Sequence, residues 1–230
     1  MTKIAVAIPT RKKSEINKYW LDWLTKLETD WKKDNLDYEI IFNEGMYYDE
    51  SRNHLVKLAQ ERSADYILFI DDDIFMPMKG LQALLKQSKD FIAFPAFAKQ
   101  MPLKSNIFPN FYFTSLPKIP KDKLMKVDWI GAGNILVNMN VFNKIDKPYF
   151  GSGTEIEDQI KGTKFIYRTS EDEYFCRKLK KVGVEVYVLT NNVCEHYCNK
   201  QNIFFPSLST IDAKGKLAWG EFFDYWEVEK

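Results

Sequence analysis

Three consecutive aspartates, Asp71-Asp72-Asp73, close an apolar run that reads Tyr66-Ile67-Leu68-Phe69-Ile70. The run has the length and apolar character of a buried strand, and nothing about a strand end requires three acids there. Carboxylates crowded at a rigid strand tip repel one another unless a cation sits among them, and hard oxygen donors suit Mg²⁺ or Mn²⁺. A divalent ion held by one or two carboxylates, with its other positions open, is a common way to grip a diphosphate. A solvated acidic loop is the plainer alternative. A second acidic group, Ser170-Glu171-Asp172-Glu173, opens a run of helical spacing. A capping box explains Ser170 and Glu173, and acids in a first turn complement the helix dipole. Glu171 and Asp172 are explained less well, and a carboxylate at a helix start beside a sheet end can act as a general base. His196 is one of two histidines. A lone histidine is usually structural, but its nitrogen could also complete a Mn²⁺ site begun by carboxylates. Cys194, His196 and Cys198 have the spacing of half a zinc site, yet the remaining cysteine, Cys176, falls mid-helix and no fourth ligand is evident.

The elements that must position these residues alternate in type. Ile4 to Ile8 is a strand closed by Pro9. Ile16, Tyr19, Trp20, Trp23, Leu24, Leu27 and Trp31 recur at helical spacing, with Ser14 as the expected cap. Tyr38 to Phe42 is the second strand; Asp49 is expected to cap a helix burying Leu55, Val56 and Ala59; Tyr66 to Ile70 is the third strand. Leu81, Leu84 and Leu85 mark a short helix, and Phe91 to Phe97 a fourth strand. Such alternation predicts an α/β fold with a mostly parallel sheet flanked by helices, whose ligands bind beyond the carboxyl ends of the strands. Asp71 to Asp73 and Pro9-Thr10-Arg11 both fall at such ends. From Lys99 prolines interrupt the pattern, with one short strand expected near Asn110 to Thr114. Trp129-Ile130-Gly131-Ala132-Gly133-Asn134 follows, a glycine turn that permits close backbone approach by a ligand, or that simply needs a positive φ. The helix opened at Ser170 is expected to bury Phe175, Leu179 and Val182 and to stop at Gly183, before a strand over Val184 to Leu189. In the tail, Trp219, Phe222, Phe223 and Trp226 recur at helical spacing and suit docking on the domain or on a second subunit; Glu221, Asp224 and Glu227 on the other face disfavour anionic lipid.

Bulk composition narrows the classes. The chain has 230 residues, 45% hydrophobic and 15% aromatic, which is globular rather than disordered. A formal net charge of +1 gives no argument for nucleic acid. No apolar run reaches the roughly 18 residues of a membrane-spanning helix, and the start is too short and too soon broken for a signal peptide. Three cysteines make no disulfide framework and suggest a reducing, cytoplasmic setting.

Taken in order, these segments resemble a nucleotide-sugar glycosyltransferase of the GT-A fold, family 2 type. Ala5-Val6-Ala7-Ile8-Pro9-Thr10 resembles the family's opening strand and Pro-Thr turn, Ser51-Arg52-Asn53 its Ala-Arg-Asn helix start, and Asp65 to Asp73 the strand leading to its Asp-x-Asp motif. Trp129 to Asn134 resembles the acceptor-side segment, Ser170-Glu171-Asp172 the Glu-Asp motif of the catalytic base, and His196 the late metal ligand. The resemblance covers Lys3 to Tyr197. It implies one domain over 1–205, with a nucleotide-binding half at about 1–98 and an acceptor-side half at about 99–205, followed by a helical tail at 206–230 that could mediate a homodimer. It implies Mn²⁺ or Mg²⁺ on Asp73 and His196, with Asp71 facing the ion or the ribose. It places Pro9, Thr10, Arg11, Glu44, Arg52, Asp71 and Asp72 around the nucleotide, and Trp129, Gly131, Ala132, Gly133 and Asn134 on the acceptor side. Asp172 would be the base, with Glu171 as the fallback. The implied donor is a UDP- or GDP-sugar and the acceptor a hydroxyl of a glycan, lipid or protein.

The sequence also departs from the family. Asn43-Glu44 stands where an Asp often reads the base, and no Gln-x-x-Arg-Trp motif of a processive synthase follows. A haloacid-dehalogenase-type phosphohydrolase would carry its Asp-x-Asp at the first strand, and a nucleotidyltransferase would carry glycines where Pro9-Thr10-Arg11-Lys12 stands. A non-catalytic nucleotide- or sugar-binding relative would have lost the ion ligands or the base, and all are present.

Overall fold

The computed structural model describes residues 2–100, 104–109, 111, 118–160, 163–207, 210–211, 217–218 and 226–227. In chain order its elements are β1 (Lys3–Thr10), α1 (Lys18–Lys33), β2 (Asp37–Glu44), α2 (Tyr48–Glu61), β3 (Tyr66–Ile70), β4 (Ile74–Phe75), α3 (Gly80–Leu85) and β5 (Phe91–Ala93). There follow β6 (Ile107–Phe108), β7 (Ile119–Pro120), β8 (Leu124–Val127), β9 (Trp129–Ile130), β10 (Asn134–Asn138), β11 (Glu155–Ile160) and β12 (Thr163–Arg168). The last are α4 (Glu171–Lys181), β13 (Val186–Leu189), β14 (Glu195–Cys198), β15 (Ile203–Phe205), β16 (Thr210–Ile211), β17 (Leu217–Ala218) and β18 (Trp226–Glu227).

One sheet of seven strands runs in the order β2-β1-β3-β10-β5-β13-β8. Strands β2, β1, β3, β5 and β13 point one way, and β10 and β8 the other. Because side chains alternate along a strand, the buried strands feed two cores at once. Ala5, Ala7, Ile67, Phe69, Ile135 and Val137 pack on one face with Leu55, Val56 and Ala59 of α2 and Phe175 and Leu179 of α4. Ile4, Val6, Ile8, Leu68, Ile70 and Leu136 pack on the other with Trp20, Leu24, Leu27 and Trp31 of α1 and Leu81 and Leu84 of α3. A smaller antiparallel sheet, β17-β16-β15-β14-β4, is joined to the end of the first through β4, which continues the chain beyond the aspartates.

Several expected boundaries move. Helix α1 is capped by Asn17, whose side chain accepts from the Tyr19 N–H, because Lys13–Glu15 forms a separate 3-10 turn that takes up Ser14. Helix α2 begins one residue before Asp49, with Tyr47 at the cap position, and the Asp49 carboxylate instead accepts from the Ser152 N–H at 3.0 Å. The expected capping box at α4 is half made. Ser170 caps, but Glu173 turns inward to the Arg177 guanidinium and the Tyr167 hydroxyl, each at 2.8 Å. Val182 is exposed because it is the C-cap residue, one step before Gly183 at φ +73°. The expected strand near Asn110 lies outside the described residues apart from Phe111. Of the expected helical tail only three short pieces are described: Thr210–Ile211 adds to β15, Leu217–Ala218 pairs with it, and Trp226–Glu227 lies along β7. Trp219, Phe222 and Phe223 lie outside the described residues. No helix among the described residues is long and apolar enough to cross a membrane.

The Ser51-Arg52-Asn53 segment has a structural reason for its third residue. The Asn53 amide accepts from the Tyr149 and Phe150 N–H groups at 2.8 and 3.1 Å and donates to the Asp49 and Phe150 carbonyls at 2.8 and 2.7 Å. It thereby clips α2 to the turn beyond β10. Asn53→Ala leaves several of these polar groups unpaired and is expected to cost about 1–3 kcal/mol, read as a lower urea midpoint with an unchanged slope.

Candidate active site

The three aspartates occupy a turn, and that decides their chemistry. The Ile74 N–H closes it on the Asp71 carbonyl at 3.0 Å, and the Asp71 N–H donates to the Gly133 carbonyl at 2.9 Å. Helix α1 holds the exit: the Trp20 indole donates to the Ile74 carbonyl at 2.9 Å and the Trp23 indole to the Met76 carbonyl at 3.2 Å. Successive side chains of a turn leave in different directions, and each aspartate meets a different partner. Asp71 takes the Arg52 guanidinium, with Nη2 at 2.9 and 3.2 Å from its two oxygens. Asp72 accepts from the Thr10 hydroxyl at 2.6 Å. Asp73 meets the Lys99 ammonium on one oxygen and His196 Nε2, at 3.3 Å, on the other.

Arg52 is the hub. Its side chain is 2% exposed, so the residue expected to line the nucleotide is buried. Its Nε lies 3.8 Å from a Glu171 carboxylate oxygen, and the guanidinium faces the Phe69 ring with 5.4 Å between its carbon and the ring centroid. One buried cation therefore joins the aspartate turn to the first turn of α4. Burial works against its charge, but Asp71, Glu171 and Asp172 more than compensate and hold its pKa above the ordinary value. Nε and Nη1 have no hydrogen-bond partner among the described residues.

His196 reaches Asp73 by strand pairing. Strand β14 lies antiparallel to β4 with His196 opposite Ile74, and the Tyr197 N–H donates to the Asp73 carbonyl at 2.8 Å. His196 Nδ1 lies 2.9 Å from the Phe97 carbonyl, which can only accept, so Nδ1 carries a proton. Nε2 of a neutral His196 then presents a lone pair to a carboxylate oxygen 3.3 Å away. Two acceptors face each other, and a proton or a metal ion between them resolves the conflict. A carbonyl behind the ring is also the usual support of a ligating histidine. The donor set, one carboxylate oxygen and one imidazole nitrogen, fits Mn²⁺ or Mg²⁺ with further positions open. Asp71 does not join it, since Arg52 occupies its carboxylate. Among the described residues no three His, Cys, Asp or Glu side chains form a metal cluster; Cys194 is buried in the core, which leaves the Cys-x-His-x-Cys spacing without a zinc site. Burial pushes the Asp73 carboxyl up, but His196 and Lys99 bring it below the usual carboxylate range. Burial pushes Asp72 above it, partly offset by the Thr10 hydroxyl.

Across Arg52 stand Glu171 and Asp172. Burial pushes both carboxyls up, and for Glu171 the neighbouring Asp172 adds to the rise. One Asp172 oxygen accepts from the Ser170 hydroxyl and from the Glu173 N–H at 2.9 Å. The other faces Gly131, where an added Cβ would lie 3.5 Å from it. At Gly133 an added Cβ would come within 3.0 Å of an Asp71 oxygen and 3.2 Å of Ile74. Gly133 is therefore needed for close approach to the Asp71 carboxylate, whereas the tightest neighbour at Gly131 is Asn106, 3.3 Å from the added atom, and neither glycine adopts a positive φ. Ala132 and Asn134 are buried, and Asn134 is a clamp, its side-chain oxygen accepting from the Phe94 N–H at 3.0 Å. Trp129 is partly buried and stacks on Phe108 with centroids 3.5 Å apart.

Beside the turn a cleft of about 580 Å³ opens between the ends of β1 and α2, lined by Pro9, Thr10, Arg11, Met46, Tyr47 and Glu50 among others. Glu44 is exposed nearby and accepts from the Lys13 N–H at 3.1 Å. Sequence reading missed Tyr47 and Tyr48, although two adjacent aromatics just after a strand end are a signal; Tyr47 is 81% exposed. Burial and the three aspartates push the Tyr48 phenol up. Lys99 was missed as well, and no spacing pattern marks it.

No protein-family model matches the chain, and no curated protein is significantly similar in sequence. Solved structures are similar. Protein A197 from STIV superposes with a TM-score of 0.56 at 14% identity, over 100% of this chain and 98% of that one. A Drosophila β-1,4-galactosyltransferase 7 mutant in complex with manganese, UDP-Gal and xylobiose gives a TM-score of 0.48 at 17% identity, over 87% of this chain and 73% of that one. The likeness to A197 is one of fold and extends over the whole chain. The large, mostly parallel sheet with its flanking helices is the α/β architecture that the chain shares with A197.

Because Arg52 neutralises two carboxylates at once, Arg52→Met should destabilise the protein by about 3 kcal/mol, near the lower end for breaking a buried pair because Asp71 keeps some water. Adding Asp71→Asn to Arg52→Met removes the stranded charge and should recover part of the loss in a urea titration.

Proposed function

We propose that the chain is a metal-dependent glycosyltransferase that moves one sugar from a nucleotide diphosphate sugar to a hydroxyl acceptor. The observation that carries the reading is the Asp73 and His196 pair, whose facing oxygen and nitrogen can share a proton or hold a metal ion, near the buried Arg52 that also meets Asp71 and Glu171. Asp73 and His196 would hold Mn²⁺ or Mg²⁺, which when bound supplies positive charge for the departing diphosphate. The cleft beside Thr10 and Arg11 has the aromatic and polar lining that a nucleotide needs, with Tyr47 free to stack on a base. Arg11 is exposed at its edge and can meet phosphate.

The free oxygen of Asp172 takes the proton of the acceptor hydroxyl as it attacks the sugar, which gives inversion at that centre. Ser170 and the Glu173 N–H hold the carboxylate's other oxygen and fix its direction. Glu171 shares the Arg52 charge and is the fallback base. Trp129 and the Gly131–Gly133 turn stand on the acceptor side, as the acceptor-side half at about 99–205 implies. The three cysteines are free thiols, in keeping with a reducing, cytoplasmic setting.

The test begins with the ion. Wild-type protein titrated with UDP or GDP in a calorimeter should bind more tightly with Mn²⁺ than without. Asp73→Ala should erase that difference; an Mn²⁺ effect that survives the substitution contradicts the assignment. A thermal-shift panel of nucleotide sugars with Mn²⁺ then names the donor, since a ligand of the native state raises its melting temperature.

The base is tested separately. Asp172→Asn should keep donor affinity and lower kcat by about 10²–10⁴-fold. In the wild type only the ionised carboxylate accepts a proton. With its pKa raised by burial, kcat/KM should fall with decreasing pH along an acid limb above the usual aspartate value of about 3.9.

A further inference from the structure

We infer that Lys99 is a built-in competitor for the divalent ion: its ammonium neutralises Asp73 in the ion-free protein and must yield that carboxylate when the ion arrives. The inference rests on the ion site proposed above and concerns what sets its affinity. Asp73 has both oxygens engaged, one by Lys99 and one facing His196 Nε2 at 3.3 Å. A dication bridging Asp73 and His196 would stand close to an ammonium on the other oxygen of the same carboxylate, and like charges at that range repel strongly in a partly buried site. The two cations therefore exclude or weaken each other. The chain is built so that Lys99 can leave. Its side chain is 29% exposed, a long flexible stem on a segment outside the main sheet, and Asp73 is the one salt-bridge partner it has among the described residues. The same segment holds the other ligand, for the Phe97 carbonyl two residues earlier fixes His196 Nδ1. That segment is anchored by the Phe97–Ser105 bridge and by the Ala98 N–H on the Lys104 carbonyl at 2.8 Å. Histidine orientation and carboxylate occupancy are thus set from one stretch of backbone.

The consequence is an ion affinity lower than the ligands alone would give, and an ammonium released beside the ion site when the ion binds. Binding of Mn²⁺ alone, read from the electron paramagnetic resonance signal of the free ion, tests this without donor, acceptor or turnover. Lys99→Met should bind Mn²⁺ about fivefold more tightly than wild type, the worth of one partly exposed charge pair at the upper end of its range. Lys99→Arg, which keeps the charge, should stay near wild type. Adding His196→Ala to Lys99→Met should abolish the gain and so locate the ion; Lys99→Gln serves if the methionine variant does not fold. Equal or weaker Mn²⁺ binding in Lys99→Met, with binding still lost in His196→Ala, overturns the role of Lys99 and leaves the ion site standing. Absence of Mn²⁺ binding in wild type and every variant overturns both.

Discussion

Negative charge packed at the end of one strand has to be neutralised, and the surrounding architecture follows from how that is done. Asp71, Asp72 and Asp73 cannot share one counter-charge, because the turn that carries them sends their side chains apart. Arg52 takes the first, the Thr10 hydroxyl the second, and Lys99 with His196 the third. Each partner comes from a different element, so the turn ties together α2, β1, the segment after β5 and β14. Two indoles of α1 hold its exit, and the Gly133 carbonyl receives the Asp71 N–H at its entry. A site assembled this way is fixed by the packing of the whole sheet rather than by any one loop.

The buried guanidinium gives the site its second property. Arg52 meets Asp71 through Nη2 and Glu171 through Nε, and Asp172 feels the same charge. The proposed donor side and the proposed base are therefore joined electrostatically through one residue that water scarcely reaches. Glycine at 133 lets the β9–β10 turn run close past the Asp71 carboxylate.

Much of this was legible in the residues. The alternation of strand and helix, the faces of α1 and α2, and the acid cluster at the end of β3 are local patterns with local causes. His196 was open to two readings from the residues alone, structural or metal-binding, and only the family resemblance tied it to Asp73, because its partner lies on the far side of a strand pairing that no spacing reveals. Arg52 was assigned to the pocket wall, since a motif gives a residue's neighbourhood and not the direction of its side chain. Glu173 looked like half of a capping box; Arg177 and Tyr167 outcompete the backbone for it. The tail's aromatic spacing suggests a helix over residues that mostly lie outside the described ones, while its described pieces at 210–211 and 217–218 extend the sheet at β15. Asn134 reads as an acceptor contact by position and proves to be a clamp on Phe94.

The most direct measurement is crystallographic. Crystals soaked with Mn²⁺ and a nucleotide sugar, and measured at a wavelength where manganese scatters anomalously, should show one peak within bonding distance of an Asp73 oxygen and His196 Nε2, with the diphosphate on its open side. An empty site with the two side chains turned away from each other, in crystals that demonstrably bind the donor, would contradict the account.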